Sequence, residues 1–220
     1  MQHTKKGLAL SMSKGFTLIE LLIVIGILAV LATITVLVLN PAQLFAQARD
    51  SQRLSDLGSI KGAIALYLTT KSAPDLGSDT GGGFQCSDDT TVANRRYAAS
   101  IDGTTSPFVV STIDEPTHSG EFATTGAGWV AVNLGDTTGG SPLPAIPRDP
   151  NNDATYFYAY ACDNTAKTFE LDANMESTRY ACGGDDDVES TDGGDKNGGV
   201  ACASPTTAFY ETGTDPALNL

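Results

Sequence analysis

Hydrophobic and polar positions divide the chain into three stretches of different period. From Leu21 to Leu39 nineteen residues pass without a charge, rich in Leu, Ile and Val. At 1.5 Å of rise per residue, a helix of that length reaches about 28 Å, close to the ~30 Å hydrocarbon thickness of a bilayer. The pattern predicts a membrane-spanning helix within residues 16–39. Asn40-Pro41 reads as a restart, because Asn is a good N-cap, Pro is tolerated at the first helical position, and proline kinks a helix running through it. Beyond it Leu44, Ala48, Leu54, Leu57, Ile60, Ile64 and Leu68 recur at spacings of three, four and six. That recurrence predicts an amphipathic helix over residues 40–71 whose apolar face packs under a head, with Gln47, Arg49, Gln52 and Arg53 on the other side. Gly58 and Gly62 weaken it by about 1 kcal/mol each relative to alanine.

After Lys71 the composition turns to Gly, Ser, Thr and Asp, starting with Ser72-Ala73-Pro74 and Gly81-Gly82-Gly83, which predicts a loop. Strand-like runs follow at Pro107 to Ile113, Trp129 to Leu134, Thr155 to Cys162 and Thr168 to Leu171. The last two flank Asp163-Asn164-Thr165-Ala166-Lys167, a hairpin connection. The sum is an α+β fold, with a long N-terminal helix against an antiparallel sheet head over residues 72–220.

Charge then constrains partners. The chain carries 13 basic and 26 acidic residues, a formal net charge of −13. No acid precedes Glu20, so losing residues 1–15 removes Lys5, Lys6 and Lys14 alone and leaves −16. Such a body repels phosphates, and no basic stripe with interleaved aromatics offsets it, so direct nucleic acid binding is not expected. Three lysines before the apolar run, against Arg49 and Arg53 after it, favour a cytoplasmic N-terminus and an exported head. Cys86, Cys162, Cys182 and Cys202 agree: all lie beyond the run, and none forms a C-x-x-C pair. Two disulfides in an oxidising compartment are the simplest reading. Three pairings are open, and Cys182 with Cys202 is preferred because it closes the Asp/Gly-rich loop, leaving Cys86 with Cys162.

A conventional secretory signal is the competing reading of the N-terminus, since Ala46-Gln47-Ala48 offers an A-x-A sequence. The apolar run is too long for an h-region, and Glu20 at its start hinders membrane entry. The string KGFTLIELLIVIGILAVLATITVLVLN, Lys14 to Asn40, instead resembles the prepilin motif of type IV pilins and of type II secretion pseudopilins: a short basic leader ending in Gly, then Phe-Thr-Leu-Ile-Glu, then an apolar helix. The resemblance implies a leader at residues 1–15, cut between Gly15 and Phe16 by a membrane prepilin peptidase that N-methylates Phe16. This chain is then the substrate of that chemistry and not an enzyme. The resemblance also implies that Glu20 meets the Phe16 amine of a neighbouring subunit, fixing register among helices otherwise held by nonspecific apolar packing. Partners would be identical and related pilin subunits, the peptidase, the membrane, and pilus or type II secretion machinery. The precursor would sit in the cytoplasmic membrane with its head outside, and the product in a surface filament or periplasmic pseudopilus. A second stretch, Pro147 to Ser177, is similar to pseudopilin segments in which a Pro-x-Asp-Pro turn leads into a Tyr-rich hairpin.

Other chemistry is sparse. Among the acids of the Gly-rich loop, Asp185, Asp187, Asp192 and Asp195 are the ligands expected if calcium binds there; the alternative is a solvated acidic loop. Gly126 to Ala131 matches a dinucleotide fingerprint by letter, but a strand-like run follows where a helix is required. His118 is the one histidine beyond the leader, which leaves no triad or zinc set. Tyr156, Tyr158 and Tyr160 alternate along one strand and so share a face, as packing or subunit contact. A membrane-anchored enzyme or ligand-binding module is the remaining rival to a filament subunit.

Overall fold

The computed structural model describes residues 15–77, 86, 97–100, 122–190 and 209–214. Helix α1 spans Leu18–Leu39 and α2 spans Pro41–Thr70. Asn40 between them is the C-cap of α1 in the left-handed region, φ 39° and ψ 74°. Asn tolerates that conformation better than most residues, and Pro41 then opens α2 where its missing N–H is no loss. The chain divides into two compact units, Met1–Pro41 and Ala42–Leu220.

Four strands form one antiparallel sheet in the order β1, β2, β3, β4: Tyr97–Ala99, Tyr158–Asp163, Thr168–Ala173 and Tyr210–Gly213. The β2–β3 hairpin pairs Tyr160 with Leu171 and Asp163 with Thr168. Its turn is set by Asp163, whose Oδ1 accepts from the amides of Thr165 and Ala166 at 2.7 and 2.8 Å, an Asx turn. At the end of β4, Gly213 lies so close to β3 that a Cβ there would stand 2.0 Å from the Phe169 carbonyl oxygen.

The period of two along the strands sends Tyr158, Tyr160, Cys162, Phe169, Leu171 and Ala173 into the core with Leu57, Ile60, Ala63, Ile64 and Tyr67 of α2. Trp129 is fully buried there, donating from Nε1 to the Pro147 carbonyl at 2.9 Å. Two expectations change. Residues 129–134 are not a strand: Trp129 to Val132 run irregularly through the core into a 3-10 turn at Leu134–Asp136, with one isolated bridge, Thr125 to Asn133. A short apolar run signals burial without fixing the backbone. The buried face of α2 includes the expected Leu57, Ile60 and Ile64 but departs from the expected one toward the start of the helix. Leu44 and Ala48 are exposed, while Arg53, assigned to the polar side, is fully buried. The run at Pro107 to Ile113 lies outside the described residues.

Candidate functional site

Gly15 and Phe16 lead into α1 without helical structure, and Thr17 is its N-cap, φ −80° and ψ 148°. Thr17 and Glu20 form a reciprocal capping box. The Glu20 amide donates to Thr17 Oγ1 at 3.3 Å, while Glu20 Oε2 accepts from the Thr17 amide at 3.0 Å and from its hydroxyl at 2.7 Å. The sequence placed Glu20 at the start of the apolar helix but did not single out Thr17, although Thr-x-x-Glu is the spacing of such a box.

After this polar turn, α1 offers water nothing but hydrocarbon. None of its 22 residues is buried. Thr33 and Thr35 spend their hydroxyls on the carbonyls of Ala29 and Ala32 at 2.8 and 2.9 Å, so no side-chain polarity in the middle of the helix is left over. At about 33 Å the helix is long and apolar enough to cross a bilayer. Gly15 has nothing within 4 Å of where a Cβ would stand, so the fold itself makes no demand for glycine there.

In the second unit, α2 is bound to the head by ions. Arg53 donates from Nε and Nη2 to the two Asp149 oxygens at 2.7 and 2.9 Å and from Nη1 to Asp50 Oδ1 at 2.6 Å. Its guanidinium also lies 4.9 Å from the Tyr156 ring centre. Asp50 receives the amides of Glu176 and Ser177 at 2.9 and 2.8 Å, and Arg49 forks onto the Glu176 carboxylate. Burial opposes the Arg53 charge, but the bonds and charges of Asp149 and Asp50 outweigh it and raise its pKa. The Asp of the Pro-x-Asp-Pro turn is thus a structural counter-ion.

Cys86 is joined to Cys162 of β2, with Cα atoms 4.9 Å apart, across 76 residues of chain. Loop closure of that length stabilises by on the order of 4 kcal/mol in the chain-entropy account. Cys182 is also disulfide-bonded; Cys202 lies outside the described residues.

Within the acidic loop, Asp187 accepts from the amides of Gly183, Glu189 and Ser190 and from the Ser190 hydroxyl, at 2.6 to 3.0 Å. Asp185 shares that loop, Asp186 pairs with Arg179 instead, and Asp192 and Asp195 lie outside the described residues. Alternation along β3 brings a different set together, which the sequence reading passed over. Glu170 and Asp172 share the sheet face away from α2 with Glu211 of β4, all buried, each offering an oxygen within 4.8 Å of the others. That spacing suits a cation, and each of the three residues also takes part in a further interaction. Glu-x-Asp in a strand was the available signal.

Glu189 carries a pH-dependent contact. It is buried, and its two oxygens accept from the Met175 and Cys182 amides at 2.7 and 2.8 Å. Burial pushes its carboxyl up to about 7 against those amide bonds, with Asp187 and Asp50 adding to the rise. Between about 4.5 and 7 the folded chain therefore holds a proton that the unfolded chain has released. This contribution is full below that window and declines as pH rises through 7. Glu189→Gln should flatten the decline: the difference in Tm between wild type and variant changes between pH 5 and 7.5. A constant difference would rule the coupling out.

A family model described as the prokaryotic N-terminal methylation motif matches residues 10–36. Neither a curated protein nor a solved structure matches the chain.

Proposed function

Residues 10–36 carry the prokaryotic N-terminal methylation motif, the signature of type IV pilins and pseudopilins, and from that premise we propose that this chain is a structural subunit of a type IV pilus-like filament. It is held in the membrane by α1 as a precursor, cut between Gly15 and Phe16, methylated on Phe16, and polymerised through α1. The observation that carries this reading is α1 itself: a wholly unburied helix that is uncharged from Leu21 to Leu39, after a polar first turn built by Thr17 and Glu20. Such a surface requires either lipid or other copies of itself, and the filament supplies the second when the first is left. Glu20 is the assembly residue, accepting the Phe16 amine of the next subunit.

A pseudopilin of type II secretion is the second reading. It is favoured by the Pro147 to Pro150 turn, whose Asp149 is clamped by Arg53. Calcium held by Asp185, Asp187, Asp192 and Asp195 belongs to this reading as a proposal.

Co-expression with a prepilin peptidase tests the processing. The chain should shorten by fifteen residues and begin with N-methyl-Phe16 by mass spectrometry. Gly15→Val should block both, because a Cβ at Gly15 would meet no atom within 4 Å and the requirement for glycine comes from the peptidase. Intact precursor from the wild-type chain, or a product beginning at Arg49, would remove the filament reading. Assembly beside a secretin or beside a retraction ATPase separates pseudopilus from pilus.

A further inference from the structure

The capping box at the head of α1 is asymmetric in a way that bears on assembly. Thr17 directs both of its donors, amide and hydroxyl, to one oxygen of Glu20, Oε2. Among the described residues, Oε1 accepts no hydrogen bond. The carboxylate is therefore fixed in orientation through one oxygen and open through the other. A glutamate on a helix normally samples many rotamers, and near lipid it would be drawn to any cation within reach, including the amine of its own chain four residues earlier once the leader is gone.

We propose that Thr17 is a positioning residue for filament assembly: it holds Glu20 through Oε2 so that Oε1 is presented to the Phe16 amine of a second copy of this chain. The inference rests on the filament reading and on Glu20 as its assembly residue. Under it the box does not compete with the intersubunit pair. It stays closed in the filament, and it reduces the freedom that Glu20 would otherwise lose when the partner arrives. The hydroxyl supplies the shorter of the two bonds, 2.7 Å against 3.0 Å, and it is the part that a side-chain change removes.

The test uses the full chain with a prepilin peptidase and an assembly system, reading leader removal and Phe16 methylation by mass spectrometry and filament yield by shearing. Thr17→Val matches the shape and lacks the hydroxyl. It should be cleaved and methylated as the wild type, with filament yield lower on the order of tenfold, the effect of losing one hydrogen bond to a charged group. Thr17→Ser should restore the yield. Thr17→Gly separates orientation from helix capping, since glycine is nearly as good an N-cap; it should assemble as poorly as the valine variant. Near-normal filaments from Thr17→Gly would reduce Thr17 to a cap. Normal filaments from Thr17→Val would show that Glu20 needs no positioning, and loss of cleavage in it would assign Thr17 to the peptidase instead. Absence of cleavage in the wild type would be a failure of the filament reading, which these variants do not touch.

Discussion

Arg53→Met is expected to lower the unfolding free energy of the head by about 3 to 5 kcal/mol, the cost of removing one partner from a buried ion cluster. Methionine keeps much of the volume, so cavity formation is not the main effect. What remains is Asp50 at 0% and Asp149 at 1% exposure without their cation. Each keeps backbone donors, Glu176 and Ser177 for Asp50, Asn151 and Asn152 for Asp149, but both buried carboxylates lose the guanidinium they share. For a chain of this size the loss should lower Tm by roughly 6 to 20 °C. Trp129, the one tryptophan and fully buried, reports the transition by fluorescence in the detergent-solubilised chain. Arg49→Met is the comparison. Its side chain is 33% exposed and screened by solvent, so loss of its pair with Glu176 should have a much smaller effect. Equal effects from the two substitutions would show that burial of the Arg53 cluster contributes nothing.

Glu20→Ala should leave leader removal and methylation at wild-type level and reduce filament yield more than tenfold. Truncating one member of a hydrogen-bonded charge pair that becomes buried at an interface costs about 2 to 5 kcal/mol, and each 1.4 kcal/mol is a factor of ten. The alternative, that Glu20 serves only its own helix, predicts far less. Its box with Thr17 is local and exposed, and losing such a solvent-screened contact at a helix end has a small effect. Filament yield within twofold of wild type would favour that local role. Gel mobility of the processed chain and shear yield from the same cells separate processing from assembly.

Much of the first unit was legible because its information is local. A helix through lipid satisfies its own backbone, so an uncharged run of sufficient length is enough to place α1. The capping box rests on two residues three apart. The β2–β3 hairpin was also readable, since alternation and an Asx turn act within a few residues; β2 begins at Tyr158 and not at Thr155, and the two strands end past their expected bounds, at Asp163 and Ala173.

The head resisted where distant residues decide. Arg53 looks polar on a helical wheel and is buried because Asp149 and Glu176 arrive from far along the chain. Without them, burying a guanidinium would be prohibitive, and no window around Arg53 contains that information. Leu44 and Ala48 fit the apolar period and remain exposed, because they lie on the side of α2 opposite Ala46, Asp50 and Arg53, which the head covers. Trp129 to Val132 are as apolar as a strand, yet they pass through the core without pairing.

The sequence by itself thus determined the N-terminal methylation motif, the long apolar helix and the hairpin, since each follows from composition or from contacts a few residues apart. The tertiary structure alone decided which face of α2 is inside, that Asp149 is a counter-ion, that Cys86 joins Cys162, and that Glu170, Asp172 and Glu211 meet on one sheet face. Those outcomes depend on which distant groups share a low-dielectric interior, where an unpaired charge is too costly and a paired one fixes the arrangement.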